Sequence, residues 1–186
     1  MRPAHPTIDV LIPAPAWTRA LPSAAAVCRK AARAAWASGA PAALKRRAAA
    51  TELSVVLSAD KAIRALNATY RGQDKPTNVL SFPTTDRRPT SVHSGGPDGL
   101  ILGDVVVAYG TVAREAREFG KSLKNHLSHM VVHGVLHLLG YGHESAVDAE
   151  TMERLETKIL IQLGIPDPYC DTDAGPVRPR GVRRKI

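Results

Sequence analysis

Residues 129–144 read HMVVHGVLHLLGYGHE, and this stretch sets both the centre of the fold and the chemistry that the chain can carry. His133 and His137 are four residues apart in a predicted helix, so they share one face with about 5–6 Å between their Cβ atoms. Gly140 tolerates the left-handed conformation that ends a helix, and the turn after it lets His143 return to that face. Three neutral imidazoles placed in this way predict a zinc site with one open position, which is typical of catalytic zinc.

Apolar residues surround this predicted helix on nearly every side, which indicates a helix buried in a core. Its polar face carries His126, His129, His133 and His137. Buried polar groups need hydrogen-bond partners or a ligand. The alternative is a set of core or surface histidines whose spacing is accidental, and the third histidine beyond the glycine turn favours the metal site over it. We interpret His126 and His129 as packing residues or as partners of the ligands.

The same histidine spacing occurs in the metzincin proteases, whose motif is HExxHxxGxxH. The chain has the three histidines and Gly140 of that motif, but Gly134 stands where the protease has its glutamate. That glutamate is the general base of peptide hydrolysis. Glu144, next to the third histidine, cannot be assumed to replace it. The pattern therefore predicts a metal site without the protease chemistry.

A second informative stretch is 66–83, LNATYRGQDKPTNVLSFP. It reads as a helix end, a polar turn that contains Arg71, Asp74 and Lys75, and a buried strand. An arginine beside a metal cleft can hold a phosphate through two parallel hydrogen bonds. The alternative is that Arg71 ties the turn to a carboxylate, and the sequence leaves both interpretations open.

The remaining pattern predicts a single α+β domain. Strands are predicted at 9–12, 52–58, 78–82 and 100–108, and helices at 23–38, 59–70, 111–119, 122–139 and 146–163. Ser58 or Asp60 is the predicted cap of the second helix. Strands alternate with helices at first and helices then dominate. We expect one mixed sheet of about four strands covered by helices, with the zinc-binding helix in the centre.

The domain is predicted to span 1–170, followed by a basic tail at 171–186 that we expect to be disordered, and the chain already loses its pattern after Pro166. A long polar loop at 86–99 is also expected to be disordered, with His93 solvated. The tail carries Arg178, Arg180, Arg183, Arg184 and Lys185. Without these five residues the net charge falls from +8 to +3. Such asymmetry suggests an anionic partner, and solvated helix faces with a disordered tail are the alternative.

The composition favours a soluble protein of the cytoplasm. No signal peptide or membrane span is predicted, because the N-terminal residues lack a sustained apolar run and basic residues interrupt the alanine-rich stretch at 23–40. Cys28 and Cys170 are the two cysteines of the chain, and two such widely separated residues indicate a reducing compartment.

Three segments together resemble the YbeY family of bacterial rRNA-maturation metallo-endoribonucleases: 66–83, LGDVVVA at 102–108, and HMVVHGVLHLLGYGH. The resemblance covers about 52–169. It implies a four-stranded mixed sheet with helices, one zinc ion per chain and hydrolytic endonuclease activity on single-stranded RNA. It also implies a role in 16S rRNA 3′-end maturation and in late-stage 70S ribosome quality control. The implied partners are the 16S rRNA precursor, the small ribosomal subunit and the 70S ribosome.

By this resemblance, His133, His137 and His143 match the family's zinc ligands, and Arg71 matches its functionally important arginine. We therefore assign Arg71 as a catalytic residue and Arg71 with Lys75 as RNA-binding residues. One departure stands next to the third ligand: the family usually has GYDH, and Gly142 replaces that aspartate here. This puts the metal geometry and the rate in doubt more than metal binding itself.

The expected reaction is hydrolysis of an RNA phosphodiester, with zinc as Lewis acid or source of hydroxide and Arg71 against the phosphate. The sequence identifies neither the general base nor the attacking group, which is water or the neighbouring 2′-hydroxyl. Two rival functions stay open: a metalloprotease of unusual type, and a non-catalytic ribosome-binding factor with a structural zinc.

Overall fold

A computed structural model describes residues 5–84 and 99–169 of the chain. The basic tail at 171–186, Cys170, His93 and almost all of the polar loop at 86–99 lie outside the described residues. The predictions made for them therefore stay predictions.

Four strands form one mixed sheet: β1 (Thr7–Leu11), β2 (Thr51–Ser58), β3 (Val79–Pro83) and β4 (Leu100–Ala108). Their order across the sheet is β1-β2-β4-β3. The first three strands in that order are parallel, and β3 pairs with β4 in the antiparallel direction at the edge. The predicted α+β fold with a four-stranded mixed sheet is confirmed. Pro83 is the last residue of β3, where an edge position accommodates its missing N–H.

Within residues 5–84 and 99–169, seven α-helices accompany the sheet: α1 (Pro15–Ala20), α2 (Ala24–Gly39), α3 (Ala42–Lys45), α4 (Asp60–Arg71), α5 (Tyr109–Glu118), α6 (Leu123–Leu138) and α7 (Ala146–Gln162). A short 3₁₀ turn covers Ala48–Ala50. The five long helices were predicted and are present. None of the helices in the described ranges is long and apolar enough to cross a membrane.

The predicted cap of α4 is wrong. Its N-cap is Ala59, and no side chain caps it. The Asp60 carboxylate instead accepts hydrogen bonds from the backbone N–H of Thr111 at 3.1 Å and from the Thr111 hydroxyl at 3.2 Å. A long-range contact with the start of α5 therefore takes the acceptor that a local cap would use.

The strands separate two apolar layers because successive side chains of a strand point to opposite faces. On one face, β-strand residues such as Val55 and Val105 pack in the main core with α2 and α6. On the other face, Leu80 and Val106 pack with Ile63 of α4. Nearly every residue of α6 between 126 and 138 is buried, which confirms the central position predicted for this helix.

α6 runs in the same direction as β3. Near its start, His126 contacts Glu115, which also accepts a hydrogen bond from Asn78 just before β3. Further along, the Ser81 hydroxyl donates to the carbonyl of Gly134 at 3.1 Å. The C-terminal part of α6 therefore lies at the end of the sheet where β3 ends and β4 begins.

Candidate metal centre

His133, His137 and His143 come together at the C-terminal end of α6. One ring nitrogen of each lies within 4.8 Å of the corresponding nitrogens of the other two. The Nε2 atoms of His133 and His137 are 3.0 Å apart. The ring of His143 stacks on that of His133, with 5.2 Å between centroids and 19° between planes. The Gly140 φ of 96° ends the helix in the left-handed region, which returns the chain toward α6 as predicted.

The two helical ligands each have a hydrogen-bond acceptor behind the ring. His137 Nδ1 lies 3.0 Å from the carbonyl oxygen of Tyr141, in the turn that follows the helix. His133 Nδ1 lies 2.7 Å from Oε1 of Glu156. A carbonyl and an ionised carboxylate only accept hydrogen bonds, so both Nδ1 atoms carry the proton. The Nε2 lone pairs of both rings consequently face the centre of the triad.

The environment of the triad lowers the pKa of two of its histidines, which favours binding of a cation. Burial, together with the neighbouring rings of His133 and His143, lowers the pKa of His137 to about 4. Burial and His133 also lower the pKa of His143, the most exposed of the three. Neutral imidazole is the form that binds a metal. The Nε2 atoms of His133 and His137 face each other at 3.0 Å, and a cation between them fits this donor set.

Glu156 is the residue of the centre that sequence reasoning missed. It comes from α7, its side chain has no exposed surface, and it also lies 3.2 Å from His129 Nε2. Burial by itself raises the pKa of Glu156, but the hydrogen bonds from His129 and His133 outweigh it and hold the pKa well below its ordinary value. An acid on the buried stripe of an amphipathic helix was the available signal, since Met152, Glu156, Ile159 and Leu160 follow the spacing of one helix face.

His129 and His126 are not part of the triad. Burial lowers the pKa of His129, although Glu156 acts in the opposite sense, so His129 is a neutral donor to that carboxylate. His126 Nε2 lies 3.0 Å from Glu115 Oε2 at the other end of the helix. Their interpretation as packing residues or partners of ligands agrees with this geometry.

Gly134 faces the sheet and not the triad. A Cβ atom added there would stand 2.4 Å from Val105 Cγ1 and 3.1 Å from Ser81 Oγ. Any side chain at this position would have to displace the side chain of Val105 and would point toward the sheet. The position of the protease glutamate is thus closed by the packing of α6 on the sheet.

The sequence model of endoribonuclease YbeY matches residues 26–164. The endoribonuclease YbeY of Rhodopseudomonas palustris (strain HaA2) is 47% identical over 175 residues, covering 91% of this chain and 85% of the relative. The endoribonuclease YbeY of Paramagnetospirillum magneticum is 50% identical over 162 residues, covering 87% of this chain and 94% of the relative. The chain belongs to the endoribonuclease YbeY family. The members of this YbeY family are hydrolytic nucleases by name.

A solution structure from Thermotoga maritima is 25% identical, with a TM-score of 0.47 over 91% of this chain and 99% of that chain.

Arg71, predicted from the resemblance to be catalytic, is the last residue of α4 and is exposed. Within the described residues its side chain has no hydrogen bond and no ion pair. Asp74 is instead held by Arg64, through two hydrogen bonds of 2.7 Å each. The turn is therefore tied by Arg64, which removes the main support for a purely structural role of Arg71.

The structure does not bring Arg71 or Lys75 into contact with the triad. The ring of Tyr70, next to Arg71, lies edge-on against Phe82 of β3 with 5.1 Å between centroids. The C-terminus of α4 and the triad thus lie at the same end of the sheet, on opposite faces of its edge strand. Lys75 is exposed, and its carbonyl accepts a 2.8 Å hydrogen bond from buried Asn67.

Gly142 is the position where the resemblance to the YbeY family led us to expect aspartate. A Cβ atom added there meets no atom within 4 Å, and its backbone is not in the left-handed region. The fold therefore has room for the aspartate, and nothing in the local packing explains its replacement by glycine.

Proposed function

We propose that this protein is a zinc-dependent endoribonuclease that cleaves single-stranded RNA in the cytoplasm, with one zinc ion per chain. We further propose that it acts in 16S rRNA 3′-end maturation and in late-stage 70S ribosome quality control. Its partners would be the 16S rRNA precursor, the small ribosomal subunit and the 70S ribosome. The observation that carries the proposal is the convergence of three histidine rings in a chain of the endoribonuclease YbeY family.

The donor set supports zinc as the metal. Three imidazole nitrogens without a thiolate or carboxylate suit a borderline cation, and a site with three protein ligands keeps one position for water or substrate. A bound zinc ion would supply Lewis acidity toward a phosphoryl oxygen or its bound water. The chain's part is to accept hydrogen bonds from both Nδ1–H groups, with the Glu156 carboxylate and the Tyr141 carbonyl, so that the Nε2 atoms stay turned inward.

The surface at the C-terminus of α4 supports RNA as the substrate. Arg71 and Lys75 are exposed, while the nearby Asp74 is neutralised by Arg64. Tyr70 is 67% exposed although its edge rests on Phe82, so one aromatic face is accessible. Guanidinium groups bind phosphate and aromatic faces stack on unpaired bases. In the proposed reaction Arg71 holds the anionic phosphate of a strand that passes round the edge of β3.

The proposal is tested by incubating zinc-loaded protein with single-stranded RNA, with the same RNA in a duplex, and with casein. We expect internal cleavage of the single strand, little cleavage of the duplex and intact casein, because Gly134 leaves no room for a protease base. Casein hydrolysis would favour the metalloprotease. Ribosome binding without RNA cleavage would favour the non-catalytic factor.

The ribosomal role has its own test, in cells that lack their family member. Expression of this chain should restore the mature 16S rRNA 3′ end, and expression of its His137→Ala variant should not. Persistence of the 3′ precursor, with purified protein active on RNA, would confine the proposal to the nuclease activity.

A further inference from the structure

We propose that the segment at 166–169, directly after the turn that ends α7, is a positioning element of the metal centre, and that Tyr169 acts on His133 through Glu156. The sequence pattern predicted the beginning of a poorly ordered tail at this point. In the structure the segment is instead bonded to the elements that surround the triad. The inference depends on metal binding by the triad and not on the identity of the substrate.

Three hydrogen bonds hold the segment in place. Asp167 Oδ1 accepts from the Thr157 hydroxyl of α7 at 3.1 Å and from the backbone N–H of Tyr169 at 2.9 Å. Lys121, just before α6, donates to the carbonyl oxygen of Pro168 at 3.1 Å. The segment is thus tied to α7 and to Lys121 just before α6, and the side chain of Tyr169 is directed back toward both helices.

Tyr169 reaches the centre with its hydroxyl while its ring stays partly at the surface. The residue is 45% exposed, and its ring lies edge-on to His129 with 5.8 Å between centroids. The hydroxyl donates to Glu156 Oε2, the oxygen that also faces His129 Nε2. Burial and the Glu156 charge raise the pKa of Tyr169, so the phenol keeps its proton at neutral pH.

The two oxygens of Glu156 therefore have separate tasks. Oε2 is occupied by Tyr169 and His129, and Oε1 is left for His133 Nδ1 at 2.7 Å. Donors on both oxygens fix the rotation of the carboxylate, which in turn fixes the ring of His133. Carboxylates behind metal-bound histidines orient the ring and raise its basicity, and their loss typically lowers metal affinity 10–100-fold. Loss of the Tyr169 hydroxyl should have a part of this effect.

The test is Tyr169→Phe, which removes the hydroxyl and keeps the ring against His129. Zinc affinity is measured by competition with a chelator, and the absorption spectrum is recorded after Co²⁺ is loaded in place of zinc. We expect the zinc dissociation constant to rise about tenfold, at the lower end of the range for such partners, and the Co²⁺ bands to shift. Loss of this charge-assisted hydrogen bond should also lower the melting temperature of the zinc-free protein by a few degrees, so the zinc affinity and the Co²⁺ spectrum are the deciding readouts. Val147→Ala, at a 72% exposed position of α7, is the control. It should change neither the zinc dissociation constant nor the Co²⁺ spectrum.

A double-mutant cycle shows whether Tyr169 acts through Glu156. The losses of zinc affinity in Glu156→Gln and Tyr169→Phe should be less than additive in the double variant, because each breaks the same connection. Additive losses, or a Tyr169→Phe protein with the zinc affinity and Co²⁺ spectrum of the unmodified chain, would overturn the proposal. If Glu156→Gln fails to fold, Tyr169→Phe alone decides.

Discussion

Single atoms behind the histidine rings determine what the triad can bind. The Tyr141 carbonyl and the Glu156 carboxylate each take an Nδ1 proton, which leaves two Nε2 lone pairs 3.0 Å apart. The spacing of the histidines was readable from the sequence, because it follows from the helical period and one glycine turn. The hydrogen-bond acceptors behind the rings were not readable from the sequence. Glu156 comes from another helix, and a backbone carbonyl is present at every residue.

Removal of one ligand should separate metal binding from the fold. His137→Ala leaves two ligands, so we expect less than one zinc per chain after purification and dialysis. Bound zinc at 100 times its dissociation constant adds about 2.7 kcal/mol of stability, so its loss should lower the melting temperature of the zinc-loaded protein by roughly 5–10 °C. Full zinc occupancy by elemental analysis would contradict the assignment of His137.

The stability of the zinc-free protein should depend on pH because His137 is largely buried. Because burial lowers the pKa of His137 to about 4, the unfolded chain binds a proton at higher pH than the folded chain does. The free energy of unfolding should therefore fall as the pH decreases from about 6.5 to about 4, by up to about 1.4 kcal/mol per pH unit for this group. His137→Ala should flatten the slope in urea unfolding at each pH. An equal slope in both proteins would show that His137 does not carry the effect.

At the scale of elements, α4 carries two arginines that differ in whether they form an ion pair. Arg64 is paired with Asp74, and Arg71 has no such bond among the described residues. This pair offers a matched comparison, since each substitution by alanine removes the same charge from the same element.

Arg71→Ala should keep zinc and the melting temperature but lose cleavage. A lost charge-assisted contact is worth roughly 1.5–3 kcal/mol, so single-turnover cleavage should fall at least tenfold to a hundredfold. Arg71→Lys should restore part of the rate, because it keeps the charge and loses the planar fork.

Arg64→Ala is the control, and its cleavage should stay within a few-fold of the unmodified protein. Equal losses in Arg64→Ala and Arg71→Ala would mean that only net charge matters. A destabilised Arg71→Ala with normal cleavage would remove Arg71 from the active site.

The sequence predicted all four strands and the five long helices. The clearest of them are the strands at 52–58 and 100–108 and the long helices, because their apolar spacing repeats several times. α1 and α3, with six and four residues, are too short to show a period. The cap of α4 failed for a different reason: Asp60 bonds to Thr111, which is distant in sequence. The hydrogen bonds that connect Tyr169 to His133 through Glu156 could not be predicted either, because they join residues of different elements.

For the molecule as a whole, the excess positive charge is concentrated in the C-terminal sequence. The five basic residues of 175–186 raise the net charge from +3 to +8. They lie outside the described residues, so their contribution is a prediction from sequence alone.

Deletion of 175–186 should weaken RNA binding and leave turnover at saturating RNA unchanged. If all five charges contact phosphates of a single strand, the slope of log affinity against log salt should decrease by up to about 3.5. Binding measured by fluorescence anisotropy at several salt concentrations gives the slope. An unchanged slope would mean that the tail does not contact RNA.

The central claim is that one zinc ion held by the triad makes this chain a nuclease. The direct measurement is a titration of zinc into chelator-stripped protein, with single-turnover cleavage of single-stranded RNA and zinc content determined on the same samples. We expect no cleavage without zinc. The cleavage rate should then rise linearly with added zinc and reach a plateau at one zinc per chain, and zinc should not restore cleavage in His137→Ala. Full cleavage by stripped protein, or a rise that is unaffected in His137→Ala, would contradict the claim.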